Sequence, residues 1–170
     1  MSDSSLPVGA SMPDPRLLTR STDQPGIGGR FRTHNDEFLV EEIDLFEPCG
    51  EGEHLFLRIQ KDGISHRDLI GQLVRAFGVK ESDIGYAGMK DRRAITQQTV
   101  SIKTDRTSLP DFDGSGIQIF WADRHRHKLR RGQLVGNRFS IRIREVNPLD
   151  SPRAWNILQH LERHGLPNGY

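Results

Sequence analysis

From His54 to Gln60 the apolar residues Leu55, Leu57 and Ile59 occupy every second position. A few residues later Leu69, Ile70, Leu73, Val74 and Phe77 line one side of a 3.6-residue period. A chain that changes period over so short a distance lays a helix against a half-buried strand, which sets an α+β class. The helix carries its own punctuation: Ser65 and Asp68 make a capping-box-like start, and Gly78 is a stop. Its stripe reads as core and not as a cofactor surface.

The other elements are placed the same way. Phe38 to Ile43 reads as a strand, and Pro48, Gly50 and Gly52 punctuate the link to His54–Gln60, so the fold is expected to start antiparallel. Gln97 to Lys103 is a strand with Val100 and Ile102 on one face, and Ile117 to Trp121 is a short one. Phe139, Ile141 and Ile143 alternate with Ser140, Arg142 and Arg144, the pattern of a strand with one buried and one cationic face. Ser151-Pro152 opens a last helix, with Trp155, Leu158 and Leu161 expected inward. Met1 to Gly29, rich in Ser, Pro, Gly and Asp, reads as a flexible tail before a single domain over residues 30–170.

Charge is unevenly spread. Residues 1–55 hold four basic and eleven acidic side chains, whereas residues 124–144 hold eight basic and none acidic. The second segment suits a phosphate backbone, and a basic strand kept for solubility or oligomer contact is the other reading. No run approaches the roughly 18 apolar residues of a membrane span, and the first 29 residues carry no basic-then-apolar leader, so the chain reads as cytoplasmic. Cys49 has no intrachain partner and acidic neighbours, the setting of an unreactive thiol. His66, His160 and His164 stand without ligand partners at metal spacing and read as surface residues, while Trp121 and Trp155 read as core.

The segment with chemistry in it is GYAGMKDRRAITQQ, Gly85 to Gln98. Here Asp91 stands among Lys90, Arg92 and Arg93, after two glycines that allow close backbone approach. An ionised carboxylate so placed can serve as nucleophile, as base, or as the acceptor of an ordinary salt bridge.

Ala87, Gly88, Lys90, Asp91, Ala94, Thr96 and Gln98 match the signature A-G-x-K-D-x-x-A-x-T-x-Q, and on this the chain resembles the TruD family of pseudouridine synthases. Thr99 departs from the aromatic residue frequent there, a change expected to affect packing and not chemistry. Three further stretches are similar in order and spacing. Asn35 to Glu42 resembles P-E-D-F-x-V-x-E, with Asn35 for the proline and the acidic pair inverted. Gly50 to His54 matches G-E-G-x-H, and Lys128 to Phe139 matches K-L-R-x-G-x-L-x-G-N-x-F.

The resemblance covers residues 28–170 and implies an α+β part of the pseudouridine-synthase catalytic domain, with a mostly antiparallel or mixed sheet and flanking helices. It implies that Asp91 is the nucleophile and that Phe38, Asn137 and Phe139 contact the substrate nucleoside. Arg32, Lys90, Arg92 and Arg130 are the candidates for an Asp91 partner or an RNA contact. tRNA is the implied substrate, uridine 13 of the D arm the implied target, and no metal or other cofactor is implied. Gly165 to Tyr170 resembles the start of a motif that family members continue with F-G-x-x-R-F-G and a long second half. The implied domain is therefore incomplete at the C-terminus, its sheet left with exposed edges. Three readings follow: part of an RNA-modifying enzyme, an inactive RNA-binding remnant, or half of a split enzyme completed by a complementary C-terminal chain.

Overall fold

A computed structural model of the chain describes residues 21–112 and 115–165. Most of the expected tail and the closing Leu166 to Tyr170 lie outside the described residues. Gly29–Glu145 forms one compact unit, and the helix Ser151–His164 belongs to a second.

In the first unit β1 (Phe38–Asp44), β2 (His54–Asp62), β4 (Ile95–Lys103), β5 (Ile117–His125) and β6 (Leu134–Ile141) form a mixed sheet in the order β5-β2-β4-β1-β6. The short β3 (Ile84–Tyr86) also pairs with β4. α1 spans His66–Phe77 between β2 and β3. The Ser65 side chain accepts the Asp68 N–H at 3.1 Å, and Gly78 ends the helix in the left-handed region at φ 68°, both as the sequence predicts.

One face of the sheet explains the alternating pattern. Leu55, Leu57 and Ile59 of β2, Val100 and Ile102 of β4 and Ile117 of β5 pack against Leu69, Ile70, Leu73 and Phe77 of α1. Along the same face the register continues through Lys61, Thr96, Val40 and Phe139, one row crossing β2, β4, β1 and β6. The face is apolar beneath α1 and mixed beyond it, where the buried Lys61 and Thr96 stand beside Val40 and Phe38, and the mixed part is the floor of the candidate site.

Several expectations are corrected. β1 and β2 form no antiparallel start, because β4 lies between them, parallel to β1 and antiparallel to β2. Local pattern marks a strand without naming its neighbour. The apolar side of the expected strand is not buried: Phe139 is 54% exposed, and Ile141 and, past the end of β6, Ile143 are exposed too, since β6 is at the sheet's edge and α1 packs over the other end. On the second helix, α2 (Ser151–His164), Trp155 and Leu158 are exposed, not inward, and within its own unit no described element packs over that stripe. Trp121, expected in the core, is also exposed on the outer strand β5.

Gly85 of β3 is one position where only glycine fits. A Cβ there would run into the Leu129 carbonyl and the Ser101 hydroxyl, which is how residues 128–131 come to lie against β3. Leu73, fully buried between α1 and the sheet, is the test of the core. Leu73→Ala is expected to lower the unfolding free energy in urea by about 3 kcal/mol, whereas a loss under about 1 kcal/mol would show α1 to be loosely packed.

Candidate active site

The loop from Ala87 to Ala94 leaves β3 and enters β4. Its two alanines are the anchors: Ala87 packs with Phe56 and Leu129, and Ala94 with Phe38 and Val40. Small side chains let the loop lie close to the sheet, and Asp91, Arg92 and Arg93 between them face solvent.

Two buried charges hold this loop. β1 pairs with β4 as far as Gln97, and β3 pairs with β4 from Val100, so the edge of β4 is left between two partners at Gln98 and Thr99. Glu42, almost fully buried, occupies that gap. One of its carboxylate oxygens accepts the Thr99 N–H at 3.2 Å, and the other pairs with the Lys90 ammonium at 2.5 Å. Arg58 donates to the Glu42 carbonyl at 2.7 Å and to Asp44 at 3.1 Å, fixing the same stretch of β1. Lys61, with no exposed surface, donates to the carbonyls of Asp91 at 2.5 Å and Ile64 at 2.7 Å, with Lys90 O at 3.4 Å. Burial lowers the Lys61 ammonium to about 8; Asp91 opposes the shift and Lys90 adds to it.

Arg32 is the cation beside Asp91, Nη2 to Oδ2 at 3.6 Å, and its guanidinium lies over the Phe38 ring at 3.6 Å from the centroid. Arg93 donates to the Arg32 carbonyl at 3.4 Å. Arg32 has φ 61°, an uncommon conformation for a residue with a side chain. The buried Glu37 imposes the bend. Its carboxylate gathers the N–H groups of Thr33 and His34 and the Arg144 guanidinium. Burial alone would raise the Glu37 carboxyl, but Arg144 and the two N–H groups outweigh it and hold the group below its ordinary range.

Phe38 meets Phe139 edge to face, centroids 6.0 Å apart, and Asn137 sits opposite Glu42 in the register, exposed on the same face. Of the four candidate partners only Arg32 is paired with Asp91. Lys90 is turned to Glu42, and the exposed Arg92 and Arg130 reach neither carboxylate. Lys61 was not among the sequence candidates, although its signal was present: it extends the inward phase of Leu55, Leu57 and Ile59 by one step. His66, expected at the surface, is half-buried against the Tyr86 ring at 4.2 Å. Burial first, then the charges of Lys61, Arg131 and Lys90, push it below its ordinary value.

The basic segment divides in two. Arg126, Arg138, Arg142 and Arg144 are paired with Glu51, Glu41, Asp36 and Glu37, so the cationic face expected on β6 is largely neutralised. Arg124, Lys128 and Arg131 bond to neutral oxygens, and Arg130 has no carboxylate partner among the described residues. Positive charge is therefore concentrated at residues 124–131.

The Glu42–Lys90 pair can be tested directly. Lys90→Met strands a buried carboxylate and is expected to cost about 3–5 kcal/mol of stability in urea denaturation. Glu42→Gln combined with Lys90→Met keeps an acceptor for the Thr99 N–H and is expected to recover most of that loss. A double variant no more stable than the single one would show that the charges are not coupled.

Comparison with known proteins shows the family to which the chain belongs. The family described as tRNA pseudouridine synthase D (TruD) matches residues 17–170. A tRNA pseudouridine synthase D of Geobacter sulfurreducens is 49% identical over 158 residues, 92% of this chain and 38% of that protein. One from Anaeromyxobacter is 39% identical over 92% of this chain and 44% of its own length. Among solved structures, a putative tRNA pseudouridine synthase D from Methanosarcina mazei superposes with a TM-score of 0.74 at 28% identity, over 90% of this chain and 36% of that one. The chain thus spans less than half the length of these relatives, and it belongs to the TruD family of tRNA pseudouridine synthases.

Proposed function

We propose that this chain carries the nucleophile-bearing part of a tRNA pseudouridine synthase, with Asp91 as the nucleophile. The observation that carries the reading is the presentation of Asp91. Its carboxylate is half-exposed beside Arg32, on a loop anchored from below by Lys61 and Lys90, and Phe38 and Phe139 lie on the same side. A carboxylate with one cation and open solvent on its other side can reach an electrophile that enters the site.

The isomerisation moves the glycosidic bond from nitrogen to carbon. Asp91 adds to the uracil ring or displaces uracil from the ribose anomeric carbon. The N1–C1′ bond breaks, the base turns, C5 bonds to C1′, the proton on C5 leaves, and N1 is protonated. The carboxylate is regenerated, so no redox equivalent or external group is consumed. Arg32 holds the carboxylate toward the substrate. The Phe38–Phe139 pair offers an apolar platform for a base drawn out of its stack, and Asn137 offers an amide to the uracil edge. The cations at residues 124–131 supply charge for the tRNA backbone, and uridine 13 of the D arm is the proposed target.

The test measures pseudouridine in a tRNA transcript after incubation with three proteins. These are the chain, the chain continued by the remaining sequence of the Geobacter sulfurreducens relative, and that extended protein with Asp91→Ala. The extended protein is expected to convert uridine, and Asp91→Ala to abolish conversion while changing tRNA affinity less than about threefold. Conversion by the chain alone would show that it holds a complete site. Undiminished conversion by Asp91→Ala would remove Asp91 as nucleophile, and tRNA binding without conversion by any of them would favour an inactive RNA-binding remnant.

A further inference from the structure

Lys61 differs from Lys90, the buried cation that the loop itself carries. Lys90 has the carboxylate of Glu42, whereas the Lys61 ammonium has three N–H donors and three backbone carbonyls around it, those of Ile64, Lys90 and Asp91. The Ile64 carbonyl belongs to the turn that leads into α1, and the other two belong to the loop that carries the nucleophile. One side chain, fixed at the end of β2, therefore ties the loop to the helix entry.

We propose that Lys61 is a positioning residue for the reaction, holding the Asp91 loop in its working geometry through its charged form alone. A neutral amine has two N–H donors and a lone pair, so at least one of the three carbonyls would face a lone pair instead of a proton. The 3.4 Å contact to Lys90 O is then lost, and the bonds to Asp91 O and Ile64 O lose the strength of a charged donor, which is about half of it. The ionisable groups around the ammonium are Asp91 and Lys90 from the loop and His66 from α1. Only Asp91 favours the charge, and burial outweighs it.

The sign of the pH effect follows. With the folded value lowered to about 8 from 10.5, the folded chain holds fewer protons at this group than the unfolded chain between those values. Stability against unfolding therefore rises with pH across that window, because the cost of the buried charge disappears. Loop positioning moves the opposite way, present below about pH 8 and lost above it. A residue that only supported the fold would not give activity and stability opposite trends.

The inference rests on Asp91 being the nucleophile, and the experiment separates the two claims. In the chain itself, the Lys61 side-chain carbon resonance is followed by NMR against pH, and amide exchange is compared between wild type and Lys61→Met. The Lys61 resonance is expected to titrate near 8, and exchange at residues 88–93 to quicken in Lys61→Met while α1 is unchanged. In the extended protein, single-turnover pseudouridine formation is measured from pH 6.5 to 9.5. Wild type is expected to lose rate above about pH 8. Lys61→Met is expected to be at least tenfold slower, with unchanged tRNA affinity and no alkaline fall of its own near 8. Lys61→Arg, whose charge persists, is expected to keep rate at pH 9 relative to pH 7, and ionisation of uracil would affect all three proteins alike. Titration of Lys61 near 10.5, unaltered loop exchange, or a Lys61→Met protein with wild-type rate and profile would each overturn the proposal. An extended wild-type protein that makes no pseudouridine would overturn the functional reading instead, and the tether would be decided by the titration and exchange results.

Discussion

Along the edge of β4, pairing with β1 stops at Gln97 and pairing with β3 starts at Val100. The backbone between them would have an unmet N–H in the protein interior, a cost of about 1–3 kcal/mol, and the Glu42 carboxylate meets it. A buried carboxylate needs a counter-charge, and Lys90 supplies one from the loop above. The fork in the sheet thus calls for the acid, the acid calls for the lysine, and the lysine places the next residue, Asp91. Replacing the pair with apolar groups would leave the Thr99 N–H unmet and remove the reason for the loop to descend to that point.

The same dependence explains how the signature residues divide their labour. Ala87 and Ala94 set how closely the loop approaches, Lys90 sets where it is pinned, and Thr96 and Gln98 alternate on the floor with fully buried side chains. Thr99, at the position that departs from the family pattern, gives its N–H to Glu42 and accepts from Arg58 at 3.4 Å. Its departure touches the network around the fork and not Arg32, Phe38 or Asp91.

What could be read from the sequence was what is encoded locally. α1 was legible because Ser65, Asp68 and Gly78 mark its ends and its stripe has one period. The Asp91 loop was legible because its spacing is a motif. Neighbour relations were not: nothing in Phe38–Asp44 states that β4 will separate it from β2, since a strand's alternation is the same beside any partner. Apolar alternation in β6 and α2 was read as burial, but alternation shows which face is apolar and not what covers it. Asp91 could not be matched to a cation by spacing either, because Arg32 lies 59 positions upstream and reaches it through a fold-back set by Glu37. Lys61 was hidden by its chemistry, as a lysine is ordinarily counted as surface even when it falls in phase with Leu55, Leu57 and Ile59.

Strain and charge finally point the same way. Holding Arg32 at φ 61° costs on the order of 1 kcal/mol, and the structure meets that cost with the Glu37 bonds, the Phe38 stack and the ion pair to Asp91. The charges brought together are Arg32, Lys61 and Lys90 against Glu42 and Asp91, an excess of one positive. Lys61 is the unpaired member, and it is also the one with no exposed surface. Fixed positive charge in a water-poor position has its largest effect on negative charge that develops nearby during reaction. Lys61 directs its three donors at the backbone carbonyls of Ile64, Lys90 and Asp91, so its charge acts on the site through the position of the loop.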